Sequence, residues 1–306
     1  MFKAGEIMIR TYNLCKYYGD ITAVDNVNLS IEEGEIFGFL GPNGAGKTTV
    51  VSMLSTLLHP SSGTATVNGF DILTNPLNVR ENIAVVSQRI RLDFDLTVKE
   101  NLVFYAGLYR IKNLKEQFNR IVEDFDLVPF INRKISTLSG GLMRKVEIAR
   151  CFLSEPKVLF LDEPTAGLDP KARKKFLEKI RSTVKTKGIT VFITTHILTE
   201  AETLCDRIGL LDNGKIVLMG TVDDLMDTIT EKIVEVTLTS PSPDLSKIYE
   251  DELFFEYHST YMFEHHNSLL DDIREFCHSK RVHIEKLELR HTNLEDVFIK
   301  YTGRTL

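Results

Sequence analysis

Residues 8–40 alternate apolar and polar positions about a Glu32-Glu33-Gly34 turn, which predicts β-strands ending in "EIFGFL". The period then changes. "GPNGAGKTTVVSMLSTLL" repeats as a helix after a glycine-rich opening, and "TATVNGFDI" reads as a hairpin whose Asn68-Gly69 pair supplies the positive-φ turn. From about 95 to 155 the pattern is helical, in "LTVKENLVFYAGLYRI", "EQFNRIVEDFDL" and "MRKVEIARCFL". Two short runs, "KVLFLD" and "ITVFITTH", are apolar throughout and flank a Lys-rich helix around 171–186. Strands of that kind, alternating with helices, predict an α/β fold with a largely parallel sheet covered on both faces. Near 222–232 the character shifts. "VEVTL", "LFFEYHSTYMFEH" and "RVHIEKLELRH" read as strands, "LLDDIREFCHS" and "NLEDVFIKYT" as helices, and "SPSPD" at 240–244 as a loop. The expected organisation is a domain over 1–228, with a helical subdomain at about 89–156, and a small C-terminal α+β domain over 229–306.

The chain has 306 residues, room for about two domains, and 43 % apolar with 26 % charged residues is ordinary globular composition. A net charge of −6 argues against a nucleic-acid surface as the main partner. No apolar run approaches the ~20 residues that cross a bilayer, and "MFKAGEIMIR" lacks the apolar core of a signal peptide. Cys15, Cys151, Cys205 and Cys277 show no C-x-x-C spacing and read as reduced structural thiols. His258, His265, His266 and His278 near Cys277 match no zinc spacing and read as strand and surface histidines.

The chemistry begins at Gly41, Pro42, Asn43, Gly44, Ala45, Gly46, Lys47 and Thr48, which with Thr49 form G-x-x-x-x-G-K-T-T between a strand and a helix. Such glycines let the backbone wrap phosphates, so that successive N–H groups and the helix dipole face the anion. Lys47 places a charge on the β- and γ-phosphates of ATP, and Thr48 offers a hydroxyl to Mg²⁺. "KVLFLDEP" ends a buried strand in two acids, Asp162 and Glu163. Adjacent buried carboxylates are costly unless a cation or a proton-transfer role offsets them. In a phosphate-loop protein Asp162 binds Mg²⁺ through water and Glu163 polarises the attacking water. The two motifs together predict an NTP hydrolase.

"LSGG" at 138–141 is a second glycine turn opening a helix, with no lysine in it. Phosphate loop, "LSGG", "VLFLDEP", "TAGLD" and "TTH", in that order over about residues 8–225, resemble the ATP-binding subunit of an ABC transporter. The resemblance implies that Ser139, Gly140 and Gly141 bind the γ-phosphate of ATP held by a second ATPase subunit, a copy or a paralogue. It also implies that Tyr18 stacks on adenine, with Tyr17 the competing choice, and that Val24 packs near the sugar and base. Gln88, in "VVSQ", corresponds to the glutamine that senses Mg²⁺ and the attacking water and links to the membrane subunits. Asp169 corresponds to the acid that acts across the dimer, and His196 to the histidine that contacts the γ-phosphate. The family's usual glutamine after the glycines is Leu142 here, which with Val146, Ala149 and Leu153 extends one apolar stripe of a helix.

"NLEDVFIKYTGR" at 293–304, "IFGFLGPNGAGKTT" and "LFLDEPTAGLDP" resemble the ABC-2 exporter branch, of the daunorubicin- and multidrug-resistance type. That branch implies transmembrane permease subunits as partners and peripheral attachment at the cytoplasmic face of the cell membrane. The coupling helices of those partners are expected at "RIRLDFDLTVKENLVFYAGLYR". The alternatives are a soluble ATPase acting on ribosomes or DNA, and a nucleotide switch without turnover. DNA-repair relatives insert a long coiled coil, whereas only 92 residues separate Lys47 from Ser139 here; ribosome-associated relatives carry two cassettes, and Glu163 and His196 disfavour a dead switch.

Overall fold

A computed structural model describes residues 6–109, 111, 113–265 and 268–305, and by packing these divide into two compact units between Ile216 and Val217. In the first unit, β1 (Ile7–Tyr18), β2 (Ile21–Val27) and β3 (Ser30–Glu32) build an antiparallel sheet with β5 (Ser62–Val67) and β6 (Phe70–Asp71). Asn68 and Gly69 turn the β5–β6 hairpin at φ 49° and 77°, as their sequence predicts. The second sheet runs in the order β11-β10-β4-β9-β8-β7. Its strands are β4 (Ile36–Leu40), β7 (Ile83–Val86), β8 (Val158–Asp162), β9 (Thr190–Thr195), β10 (Arg207–Asp212) and β11 (Lys215–Gly220). The five from β10 to β7 are parallel, and every residue of β4, β8 and β9 is buried, which explains their unbroken apolar character. Phe37, Phe39, Phe160 and Phe192 pack ring to ring between strands β4, β8 and β9.

Helices follow the strand ends: α1 (Lys47–Leu54), α2 (Pro76–Asn82), then the helical stretch α3 (Val98–Leu108), α4 (Leu114–Asp124) and α5 (Gly140–Phe152). Two more, α6 (Pro170–Lys187) and α7 (Leu198–Leu204), flank β9. The start of α3 is set by a reciprocal cap in "LTVKEN": Thr97 Oγ1 accepts from Glu100 N, and Glu100 Oε2 accepts from Thr97 N at 2.8 Å. The Lys-rich helix α6 starts on the Asp169 side chain and stops where Gly188 turns left-handed.

The second unit contains α8 (Val222–Met226), β12 (Lys232–Leu238), α9 (Pro243–Ile248), β13 (Leu253–Tyr257), β14 (Thr260–Glu264), α10 (Leu269–Lys280), β15 (Ile284–His291) and α11 (Leu294–Thr302). Its division at Val217 precedes the composition change near 228 because Lys300 of α11 reaches back to the Thr228 carbonyl at 2.9 Å. Sheet order β13-β14-β12-β15, all antiparallel, with α9 and α10 as the crossovers, is the split βαβ arrangement. Val234, Val236, Tyr261 and Phe263 pack against Leu269, Ile273 and Phe276 of α10. Two local expectations change. "SPSPD" is not loop throughout, since α9 begins at Pro243, a residue suited to a helix first turn. "LFFEYHSTYMFEH" is a hairpin rather than one strand, because His258 turns at φ 54°. Among the described residues no helix is long and apolar enough to cross a membrane. The four cysteines are free and buried at separate places; His266 lies outside the described residues.

The pattern "NLEDVF" also has a physical role. Asn293 Oδ1 accepts from Glu295 N and Asp296 N, while buried Asp296 takes two 2.7 Å bonds from the Arg290 guanidinium. Arg290 and Lys286 also hold Glu235, at 3.0 and 2.6 Å. Burial pushes the Glu235 carboxyl up, but those two hydrogen bonds overcome it and leave it below its ordinary 4.5. A carboxyl depressed in the folded state adds stability above its unfolded value and loses it as pH falls through the folded one. Glu235→Gln is therefore expected to reduce the loss of stability on acidification below pH 4.5, by under ~1 kcal/mol because its Lys286 partner is half exposed. An unchanged acid limb in calorimetry would contradict it.

Candidate functional site

The phosphate loop occupies the turn between β4 and α1, at the carboxyl end of the parallel strands. A Cβ on Gly46 (φ 109°) would stand 2.3 Å from the Ala23 carbonyl oxygen, and one on Gly41 2.2 Å from that of Leu211. Only glycine allows this approach. The two-residue turn between β10 and β11 supports the loop, with Gly214 N donating to Ala45 O at 3.0 Å. Its Asn213-Gly214 signal is as plain as Asn68-Gly69 but lies outside the predicted strands.

Lys47 is 5 % exposed, and its Nζ donates to Gly41 O at 2.6 Å and Pro42 O at 3.0 Å. It also stands 3.7 Å from Glu163 Oε1. Burial lowers its pKa, against the opposing pull of the Glu163 and Asp162 carboxylates. Two donors converge on Asp162 Oδ1 at the tip of β8: Thr194 Oγ1 at 2.6 Å and Thr48 Oγ1 at 3.1 Å. A hydroxyl and a carboxylate at that spacing are hard oxygen donors of the kind that would hold Mg²⁺.

One residue on, Glu163 adopts a left-handed φ of 46° and its side chain is 11 % exposed. Its Oε2 accepts from Gln88 Nε2 at 3.0 Å, and its Oε1 lies 3.2 Å from Nδ1 of His196, the residue after β9. Lys47, Gln88, Asp162, Glu163 and His196 thus meet beside the loop. A cavity of about 250 Å³ opens there, bordered by Ala23, Asn43, Gly44, Thr48, Thr49 and Gln88 among others.

The rest of the predicted set lies elsewhere. Tyr17 and Tyr18 end β1 in solvent, with the Lys16 ammonium 5.3 Å from the Tyr18 ring centre. Val24 is wholly buried in the core and offers no surface to a nucleotide; half-buried Ala23 borders the cavity in its place. Asp169 caps α6 by accepting from Lys171 N and Ala172 N. Ser139 caps α5, its Oγ accepting from Leu142 N at 3.4 Å, and Ser139 and Gly140 are exposed. Ser139 and Gly141 border a different groove, of about 480 Å³, with Leu142, Leu168 and Phe176. Val146, Ala149 and Leu153 are buried, but Leu142 is only half-buried, so the apolar stripe runs out at the groove. Leu142→Gln is expected to change turnover less than ~tenfold, about 1.4 kcal/mol of barrier; a loss of several orders of magnitude in steady-state hydrolysis would contradict a packing role.

One cluster went unread in the sequence. Buried Arg144 donates to Ser87 O at 2.7 Å, Gln88 O at 2.6 Å and Glu147 Oε2 at 2.7 Å. Glu147 in turn accepts from Arg91 N, and Arg150 donates to Arg91 O. Helix α5 therefore holds the main chain that carries Gln88. Charged residues on the buried face of "MRKVEIAR" were the available signal.

The ABC transporter family profile matches residues 24–166, and an overlapping profile of AAA-domain proteins matches 134–201. The linearmycin resistance ATP-binding protein LnrL of Bacillus subtilis is 33 % identical over 98 % of this chain and 99 % of its own length. The daunorubicin/doxorubicin resistance ATP-binding protein DrrA of Streptomyces peucetius is 35 % identical over 96 % of this chain and 92 % of its own. Among solved structures, the dimeric post-hydrolysis ATP-binding cassette MJ0796 bound to ADP and Pi superposes with a TM-score of 0.63 at 28 % identity, covering 70 % of this chain and 98 % of that one.

Proposed function

Because this chain belongs to the family of ABC transporter ATP-binding proteins, we propose that it hydrolyses ATP at sites shared between two copies and so drives export through separate membrane-spanning subunits. The observation that carries this reading is the division of the machinery. Gln88 and His196 each hydrogen-bond to Glu163 beside Lys47, whereas Ser139 and Gly141 open onto a separate groove. One chain holds ATP without closing over its γ-phosphate.

In the shared site, the loop N–H groups and Lys47 neutralise the phosphates, and Tyr18 stacks on adenine. Water attacks the γ-phosphorus in line as Glu163 takes its proton; the new P–O bond forms while the bond to the β-phosphate bridging oxygen breaks, leaving ADP and phosphate. Gln88 and His196 orient water and γ-phosphate. Ser139 and the N–H groups of Gly140 and Gly141 from the second copy stabilise the developing charge at the start of α5. Thr48 and Asp162, with Gln88, would hold Mg²⁺, which supplies charge neutralisation at the β- and γ-oxygens.

The permease side fits a groove of about 300 Å³ bordered by Leu57, Arg80, Arg91, Tyr105, Tyr109 and Arg150, with Phe104 and Leu108 exposed on α3. Arg150, which borders this groove and lies 5.0 Å from the Tyr105 ring centre, also binds the Arg91 carbonyl on the Gln88 segment. The relatives named for resistance to linearmycin and daunorubicin support an export direction. The test is affinity purification from detergent-solubilised membranes of the native host. The chain should bring down a multi-span protein, and Phe104→Glu with Leu108→Glu should release it while ATP hydrolysis persists. Purification free of any membrane protein would contradict the transport reading.

A further inference from the structure

Glu200, on α7, is a carboxylate 1 % exposed and four residues past His196. Each of its partners belongs to a segment that carries a residue of the site. Thr165, two residues after Glu163, donates its hydroxyl to Glu200 Oε1. Thr195, the residue before His196, donates its hydroxyl to Oε2 at 2.7 Å and accepts from Ile197 N at 2.9 Å. Arg173 of α6, four residues after Asp169, lies with Nε 3.3 Å from Oε1 and donates through Nη2 to Leu168 O.

Burying a carboxylate is costly unless its lone pairs are satisfied, and here Thr195 belongs to the His196 turn, Arg173 to α6 and Thr165 to the Glu163 turn. That turn holds Glu163 in the left-handed region, where a residue with a Cβ persists only when its surroundings over-determine it. Ala166 N bonds to Glu163 O and Leu168 N to Thr165 O within the local loop, while Glu163 N bonds across to Thr194 O of β9. The Glu200 carboxylate adds a buried side-chain tie between the Glu163 turn and the His196 turn, behind the direct Glu163–His196 contact.

We propose that Glu200 is a positioning residue for hydrolysis, a clamp that sets the separation of Glu163 and His196. This rests on the roles proposed above for those two residues. The clamp touches no nucleotide, so it governs turnover and not binding. Replacing it by glutamine keeps the volume but removes the charge facing Arg173 and turns one acceptor into a donor.

The test compares the wild-type chain with Glu200→Gln, Thr165→Val and Thr195→Val. Glu200→Gln should lower kcat on the order of 10–100-fold, while KM and the ATP dissociation constant stay within about twofold. Adding Thr195→Val to Glu200→Gln should cost much less than the product of the two single losses, since both break one bond. Unchanged kcat with a lowered Tm would overturn the proposal, and so would parallel loss of binding and turnover. If Glu200→Gln does not fold, the two Thr variants decide by the same split. Glu163→Gln serves as the separating control. If it keeps full turnover, the base assignment has failed; if it stops turnover while Glu200→Gln does not, the clamp alone has failed.

Discussion

Lys47→Ala is expected to abolish ATP binding, raising the dissociation constant at least ~100-fold, about 2.7 kcal/mol. The side chain is buried with its ammonium on two loop carbonyls, 2.6 and 3.0 Å away, so it already faces the concave side of the loop. An ammonium-to-phosphate bond contributes roughly 1.5–3 kcal/mol, and alanine also leaves the Gly41 and Pro42 carbonyls and the Glu163 carboxylate without their cation. Fluorescence titration with a labelled ATP analogue measures this directly. Unchanged affinity would remove the phosphate-loop assignment.

The second large effect is in turnover. Glu163→Gln keeps the shape of the side chain and its contacts with Gln88 and His196 but can no longer accept a proton from water. General-base removal costs ~10²–10⁴-fold, about 2.7–5.5 kcal/mol of barrier, with nucleotide binding intact. Because the bound ATP is then not consumed and keeps the closed state in place, the variant should accumulate as an ATP-dependent dimer. Light scattering with and without ATP reads this, and a monomer in both states would contradict the shared site.

How legible the site was depended on how local its causes are. The loop, the two acids and His196 announce themselves because each sits at the end of a strand whose apolar run is continuous in the chain. The Asn68-Gly69 turn was equally plain, being set by two adjacent residues. What was missed depends on contacts distant in sequence. Glu200 reaches 35 residues back to Thr165, and Arg144 reaches 56 back to Gln88. Val24 shows the opposite failure. The resemblance puts it near the sugar and base of the nucleotide, but alternation along β2 turns its side chain into the core behind Gly46 and leaves Ala23 facing the cavity. Leu142 reads as one more residue of an apolar stripe, yet in the fold it borders the groove beside Ser139 and only partly joins the core.

The central claim is that each ATP site needs groups from two chains, and complementation tests it most directly. Gly140 has open space where a side chain would stand, so Gly140→Asp fits without strain and puts a negative charge at the start of α5. Chains with Lys47→Ala and chains with Gly140→Asp should each be inactive alone. Mixed in equal amounts, they form pairs in which one site has an intact loop from one chain and an intact Ser139–Gly141 turn from the other. Hydrolysis should return to roughly a quarter of the wild-type rate, since about half the pairs are mixed and each holds one good site of two. A mixture no more active than the separate variants would contradict the shared site.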